Sequence, residues 1–141
     1  MTAGEPVSGA EQLAAVETAL DEDRPLEAQR QAETILSSGG LQQAEALRFA
    51  ILARGRAAEV RRQKPREAEA LAEEWIARAR SAGDKLVEAA ALLGSAELAA
   101  SAYGAGAGRR LGKAERQARQ ALGLLAAVGG GSGSAEAAQR L

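Results

Sequence analysis

The chain has 141 residues, with 18 Lys and Arg against 19 Asp and Glu and a formal net charge of −1. It contains no Cys, no His and no Asn. This excludes disulfides, thiolate zinc sites, Ser-His-Asp and Cys-His catalysis, and the commonest general base. Hydrophobic residues make up 46% of the chain but aromatics only 2%. The apolar content is largely Ala, then Leu, both strong helix formers, while the residues that favour strands are sparse. An all-α protein follows. A near-neutral balance gives the whole chain no electrostatic pull toward nucleic acid or membrane. The opening MTAGEPVSG is polar and carries an acid, unlike a signal peptide, and no apolar run approaches the length of a membrane span. An intracellular, cytoplasmic location is expected.

Residues 1–8 are expected to form a flexible tail, and 9–141 a single helical domain. Helix breakers divide that domain at Asp23-Arg24-Pro25, Gly39-Gly40, Lys64-Pro65, Gly83-Asp84, 104–108 and 129–133. Between them the apolar residues recur at helical spacing. Helices are predicted near 9–22, 25–38, 41–62, 66–82, 85–103 and 110–128, with another beginning at 134. Ser8 and Glu11 have the spacing of a capping box, Pro25 and Pro65 suit a first helical turn, and Asp84 suits an N-cap. Glycines are the expected stops. The predicted core faces are Ala68, Leu71, Ala72, Trp75, Ile76 and Ala79 in the fourth helix, and Leu86, Ala90, Leu93, Gly94, Leu98 and Ala102 in the fifth. In the sixth the face is Leu111, Ala114, Ala118, Ala121, Leu122 and Leu125. Short connections force neighbouring helices antiparallel, giving hairpins at about 9–38, 41–82 and 85–128 and the start of a further helix at 134–141.

Three of these segments align without gaps: RPLEAQRQAETIL from Arg24, KPREAEALAEEWI from Lys64 and RLGKAERQARQAL from Arg110, at offsets of 40 and 46 residues. Each has a small pair at i, i+4 (Ala28 and Ala32, Ala68 and Ala72, Ala114 and Ala118). Each then places larger apolar residues at Ile35-Leu36, Trp75-Ile76 and Leu122. The segments before them also match, with Ala44-Glu45-Ala46-Leu47, Glu88-Ala89-Ala90 and Ala135-Glu136-Ala137-Ala138 each following a glycine turn. The Gly/Ser stretch 129–134 therefore reads as an inter-repeat loop. A two-helix period near 40 belongs to solenoids of helical hairpins, because one hairpin cannot bury its own face and the next completes the core.

The segments EAQRQAETIL, EAEALAEEWI and KAERQARQAL resemble the second helix of the tetratricopeptide repeat superfamily. GDKLVEAAALLGSAELA resembles the first helix of its longer-loop members. The resemblance spans roughly residues 10–141 and implies an α-solenoid of about three antiparallel hairpins, with a closed helical bundle as the alternative. The repeats run longer than the family's usual thirty-four residues. The family's first-helix tryptophan and its glycine-tyrosine pattern are largely missing.

Few residues invite chemistry. Glu69 and Glu73 share a helix face as paired carboxylates would, but Arg66 and Arg78 stand beside them, and a solvated face is the simpler reading. Gly104, Gly106 and Gly108 precede Arg109, Arg110 and Lys113, the best local anion site, although the Walker pattern is absent. The basic run Arg48, Arg54, Arg56, Arg61, Arg62, Lys64 and Arg66 puts Arg54 and Arg61 on a common face that suits an acidic peptide or an RNA backbone. Stacking aromatics that nucleic-acid binders usually add are missing there, since Phe49 is expected in the core. Trp75 is expected in the core, and Tyr103 at the core or half exposed as a contact.

The resemblance implies that first helices line a concave groove. On that basis Arg48, Arg54 and Glu97 are its expected lining, with Arg61 and Tyr103 as further partner contacts. The Lys-Asn-Arg clamp with which some members grip chaperone tails cannot be carried over, because Asn is absent. The expected function is a protein–protein interaction scaffold, not an enzyme, with no metal or cofactor and a protein or peptide partner. Alternatives are a structural fragment of a longer array that self-associates through open repeat ends, and an anion or nucleic-acid binder acting through Arg-rich helix faces.

Overall fold

The computed structural model describes residues 9–39, 42–100 and 107–128, the side chains of 107–110 excepted. All regular structure among these residues is helical: α1 (Gly9–Asp21), α2 (Pro25–Ser38), α3 (Gln43–Val60), α4 (Arg66–Ala82), α5 (Lys85–Ala100) and α6 (Ala107–Val128). None of these helices is long and apolar enough to cross a membrane. The expected tail 1–8, the capping residue Ser8, Ala102, Tyr103 and the segment 129–141 lie outside the described residues.

Local chemistry sets the helix ends. Pro25 occupies the first turn of α2, where its missing N–H has no helical partner. Pro65 instead takes the N-cap position of α4, and its carbonyl accepts from the Glu69 N–H at 3.1 Å. Asp84 caps α5 by accepting from the Val87 N–H at 3.1 Å. Gly83 closes α4 in the left-handed conformation, as its lack of a Cβ allows. Glycine is not the only stop. Asp23 after α1 and Arg62 after α3 both adopt φ 57°. Each closes its helix with the same paired bonds seen after α4. The Arg24 N–H reaches Ala19 O at 2.8 Å, and the Gln63 N–H reaches Ala58 O at 2.8 Å. These ends fall at the expected breakers, and there the hydrogen-bonded closure holds a non-glycine residue in a costly conformation. At the other end of the chain α6 starts three residues before the expected 110. The glycine at 108 therefore stands inside a helix and not in a loop.

Packing follows the apolar spacing. Leu13, Val16 and Leu20 in α1, and Ala28, Ala32 and Ile35 in α2, are buried on one face of each helix. Two helices are buried on most sides: ten of the 18 residues of α3 and nine of the 16 of α5 are inaccessible. Each helix packs on its successor, and α3 also touches both α1 and α5. Their direction is fixed by paired contacts. Gly9 and Leu20 of α1 lie against Gln42 and Arg56, in the same order along the chain. Ile51 and Gly55 of α3 meet Gly94 and Leu98 of α5, again in order. Hence α1, α3 and α5 run parallel. The helices between them run the other way: Arg80 near the end of α4 bonds Glu88 near the start of α5 at 2.9 Å.

The α3–α5 contact is close. A Cβ added at Gly55 would stand 2.2 Å from Cδ1 of Leu98. One added at Gly94 would stand 3.0 Å from Cδ1 of Ile51 and 3.3 Å from the Arg48 carbonyl. Each glycine is the socket for a large side chain of the facing helix. Around this contact one core joins α1 to α5 and includes Leu13, Val16, Leu47, Ile51, Leu71 and Leu98. A smaller cluster of Ala89, Leu92 and Ala121, with Leu93, Leu124 and Leu125 against it, attaches α6.

The expected core faces need two corrections. In α5 the fully enclosed large residue is Leu92, while Leu86 and Leu93 are half-buried. In α6 Ala114 and Ala121 are buried as expected, but Leu111 and Leu122 are 54% and 63% exposed, because α5 covers only one flank of that stripe. In α4, Ala68, Leu71, Ala72 and Ala79 are buried as expected, with Trp75 and Ile76 half-buried against the core.

Two stability outcomes are expected. Gly94→Leu drives a side chain into Ile51 and the α3 backbone, and should cost about 1–3 kcal/mol or more in denaturant unfolding. Arg62→Gly relieves the left-handed strain and should raise stability by roughly 0.5–1 kcal/mol in the same assay.

Candidate binding cleft

The basic run of α3 does not act as one stripe, because a helix distributes it around its circumference. Arg48 and Arg54, six positions apart, stand about 120° apart at 3.6 residues per turn. Arg48 turns toward α5, where its Nε and Nη2 donate to Glu97 Oε1 at 2.9 and 2.6 Å. Its guanidinium also lies 5.7 Å from the Phe49 ring centroid. Arg54 turns toward α2, where its Nε donates to Glu33 Oε1. Arg56 donates to the Leu20 carbonyl at 3.1 Å, placing a cation at the C-terminus of α1, where the helix dipole favours it. Thus two of the expected groove residues, Arg48 and Glu97, are brought together but spend their charge on each other.

Arg61 closes α3 one residue beyond its last turn, and at seven positions from Arg54 it falls on nearly the same face. Arg54 and Arg61 line one cleft of about 480 Å³, together with Gln29 of α2, Ala58 of α3, the connection Gln63-Lys64-Pro65, and Arg66, Glu67 and Ala68 at the start of α4. A second depression, of about 510 Å³, shares Gln29 and Arg61 with it and continues along α2 past Arg30, Glu33, Thr34 and Ser37. The first cleft carries four cations, Arg54, Arg61, Lys64 and Arg66, against the single carboxylate of Glu67. Arg61, Lys64 and Arg66 form no ion pair among the described residues. Their shared wall follows from the αL closure at Arg62, which turns the chain so that Lys64 and Arg66 face back toward the end of α3.

The remaining candidates fall elsewhere. Tyr103 lies outside the described residues, and Arg109 and Arg110 are in the first turn of α6 with side chains not described. Lys113 is exposed on α6. Trp75 is half-buried, with Arg78 over its ring at 4.3 Å. Glu69 and Glu73 belong to no metal-holding group among the described residues. The sequence placed Lys64 and Arg66 in the basic run but did not single them out, and it missed Gln29 and Arg30 entirely. No local signal marks the last two, because their wall forms only when α2 packs on α3.

Because the half-buried Arg48–Glu97 pair is satisfied within the protein, its role is to join α3 to α5. Arg48→Ala and Glu97→Ala are expected to show a coupling of roughly 0.5–1 kcal/mol in a double-mutant denaturation cycle.

No family model, no curated protein and no solved structure matches this chain.

Proposed function

We propose that this protein is an interaction scaffold built as a tetratricopeptide-like solenoid of helical hairpins, and that it holds an acidic stretch of a protein partner in the cleft between α2, α3 and the start of α4. Support for the solenoid comes from the parallel course of α1, α3 and α5 with oppositely directed helices between them. That is the arrangement expected when hairpins of one pattern stack side by side. Support also comes from Ala28 and Ala68, which are fully inaccessible, and from Ala114, at 7% exposure, the small positions of the repeated motif.

The observation that carries the ligand class is the cleft's charge. Three unpaired cations and a fourth shared with Glu33 surround one open volume. Arg presents a planar fork of donors that matches a carboxylate with two bonds, so a run of Glu or Asp side chains suits these walls. Gln29 and Gln63 add neutral donors and acceptors for a peptide backbone. The groove expected along the first helices is a weaker site, since Arg48 and Glu97 neutralise each other there. A nucleic-acid backbone would meet the same cations. Base stacking has no support there, because Phe49 is only 8% exposed and Trp75 is partly covered by Arg78.

Fluorescence anisotropy with a short labelled Glu/Asp peptide tests this, with a Lys-rich peptide and a single-stranded RNA of similar length as controls. The acidic peptide should bind with affinity that falls as salt rises. The double reversal Arg61→Glu with Arg66→Glu, at exposed positions, should weaken it at least about tenfold with unchanged circular dichroism. Peptide binding untouched by that reversal removes the assignment. RNA bound more tightly than the peptide transfers the cleft to nucleic acid.

A further inference from the structure

The internal repeat identifies a second interaction surface, independent of the cleft. Aligned by their shared motif, Leu36 of α2, Ile76 of α4 and Leu122 of α6 are equivalent, as are Pro25, Pro65 and Leu111. Leu36 and Ile76 pack against the main core, and Pro25 is buried. α2 and α4 are each packed by the helix that follows, α3 or α5. Among the described residues α6 packs on α5, and its Leu122 and Leu111 stand 63% and 54% exposed. They are eleven positions apart, close to three full turns, so they lie along one line about 16 Å long. Ala118 lies between them on the same face, half-buried, and Glu115 and Arg119 flank it at 63% and 76% exposure.

This line is complementary to itself. Laid antiparallel on a second copy and centred near residue 117, α6 sets Leu111 against Leu122 of the other chain and Leu122 against its Leu111. The same register sets Glu115 beside Arg119 in both directions. Within one helix these two already attract, with Arg119 Nη2 and Glu115 Oε1 2.5 Å apart. A second copy converts each local pair into a four-charge cluster of alternating sign. Ala118 near the centre lets the two backbones approach closely. Such matching is the mark of an isologous two-fold interface, in which one patch serves both partners.

We infer that the exposed face of α6 is a homodimerisation surface, and that it pairs two copies of this chain antiparallel through Leu111, Ala118 and Leu122, with Glu115 and Arg119 as the flanking charges. A single helix pair is a small interface, so the association is reversible and concentration-dependent.

Sedimentation equilibrium of the full chain over a wide concentration range tests the inference. The unmodified protein should pass from monomer to dimer. Leu122→Asp, at an exposed position and so without effect on circular dichroism, should weaken the dimer at least about tenfold. The absence of Cys from the chain makes single-cysteine variants a clean test of register. Leu111→Cys mixed with Leu122→Cys should form a disulfide-linked pair on mild oxidation, whereas Leu111→Cys alone should not. A monomer at every concentration, a dimer indifferent to Leu122→Asp, or self-linking of Leu111→Cys would each overturn it.

Discussion

The reciprocal seating of α3 and α5 governs much of this molecule. Ile51 enters the gap at Gly94, and Leu98 enters the gap at Gly55, about one turn further along the same parallel pair. Each gap exists because a Cβ is missing, so the two backbones come closer than Leu or Ile on both sides would permit. A glycine inside a helix ordinarily costs about 0.5–1 kcal/mol relative to alanine. Here that loss is offset by the dispersion contacts of two large side chains with the opposing backbone. The core around this contact is mostly alanine. With so few bulky residues, helices must lie close to exclude water, and small residues at the crossings allow it.

This close approach also distributes the charge. Once α3 is fixed against α5 on one side and α2 on another, its basic residues must leave in different directions. Arg48 meets Glu97 across α5, Arg54 meets Glu33 across α2, and Arg56 meets the end of α1. In the same basic run Arg61, Arg62, Lys64 and Arg66 form no ion pair among the described residues, and they gather at the end of α3 and in the turn beyond it. The net charge of −1 is therefore a poor guide to the local field. A protein near neutrality still concentrates positive potential where a helix end, a turn and the next helix start converge.

The α6 helix shows the same physics from its incomplete side. Its motif repeats that of α2 and α4, and Ala114 is buried as Ala28 and Ala68 are, whereas Ala118 is half-buried where Ala32 and Ala72 are enclosed. What differs is the neighbour. A stripe that is wide enough to be covered from two flanks is, among the described residues, covered by α5 from one, so Leu111 and Leu122 are exposed while Ala114 and Ala121 are not. The amphipathic pattern is a property of the helix, whereas the exposure of any residue in it depends on how many helices arrive.

Much of the architecture was legible in the chain. Alanine and leucine at helical spacing, cut by proline and glycine turns, placed six helices to within a few residues, because propensity and capping act over one or two turns. Pro25 and Asp84 announced the starts of α2 and α5, and the repeated small pairs marked the buried positions Ala28, Ala68 and Ala114. The sequence also gathered the cations around Arg54 and Arg61. Other features belonged to the tertiary structure alone. Nothing local shows that Arg48 is neutralised by a residue 49 positions away, that Gln29 walls a cleft with Lys64, or that Leu92 and not Leu93 is enclosed. Asp23 and Arg62 close their helices in the left-handed conformation without being glycine, held by bonds that the whole turn must form together. Helix identity is decided by interactions between near neighbours along the chain. Which charges remain available, and which leucines meet water, depends on distances between helices, and those are set only when all the helices pack at once.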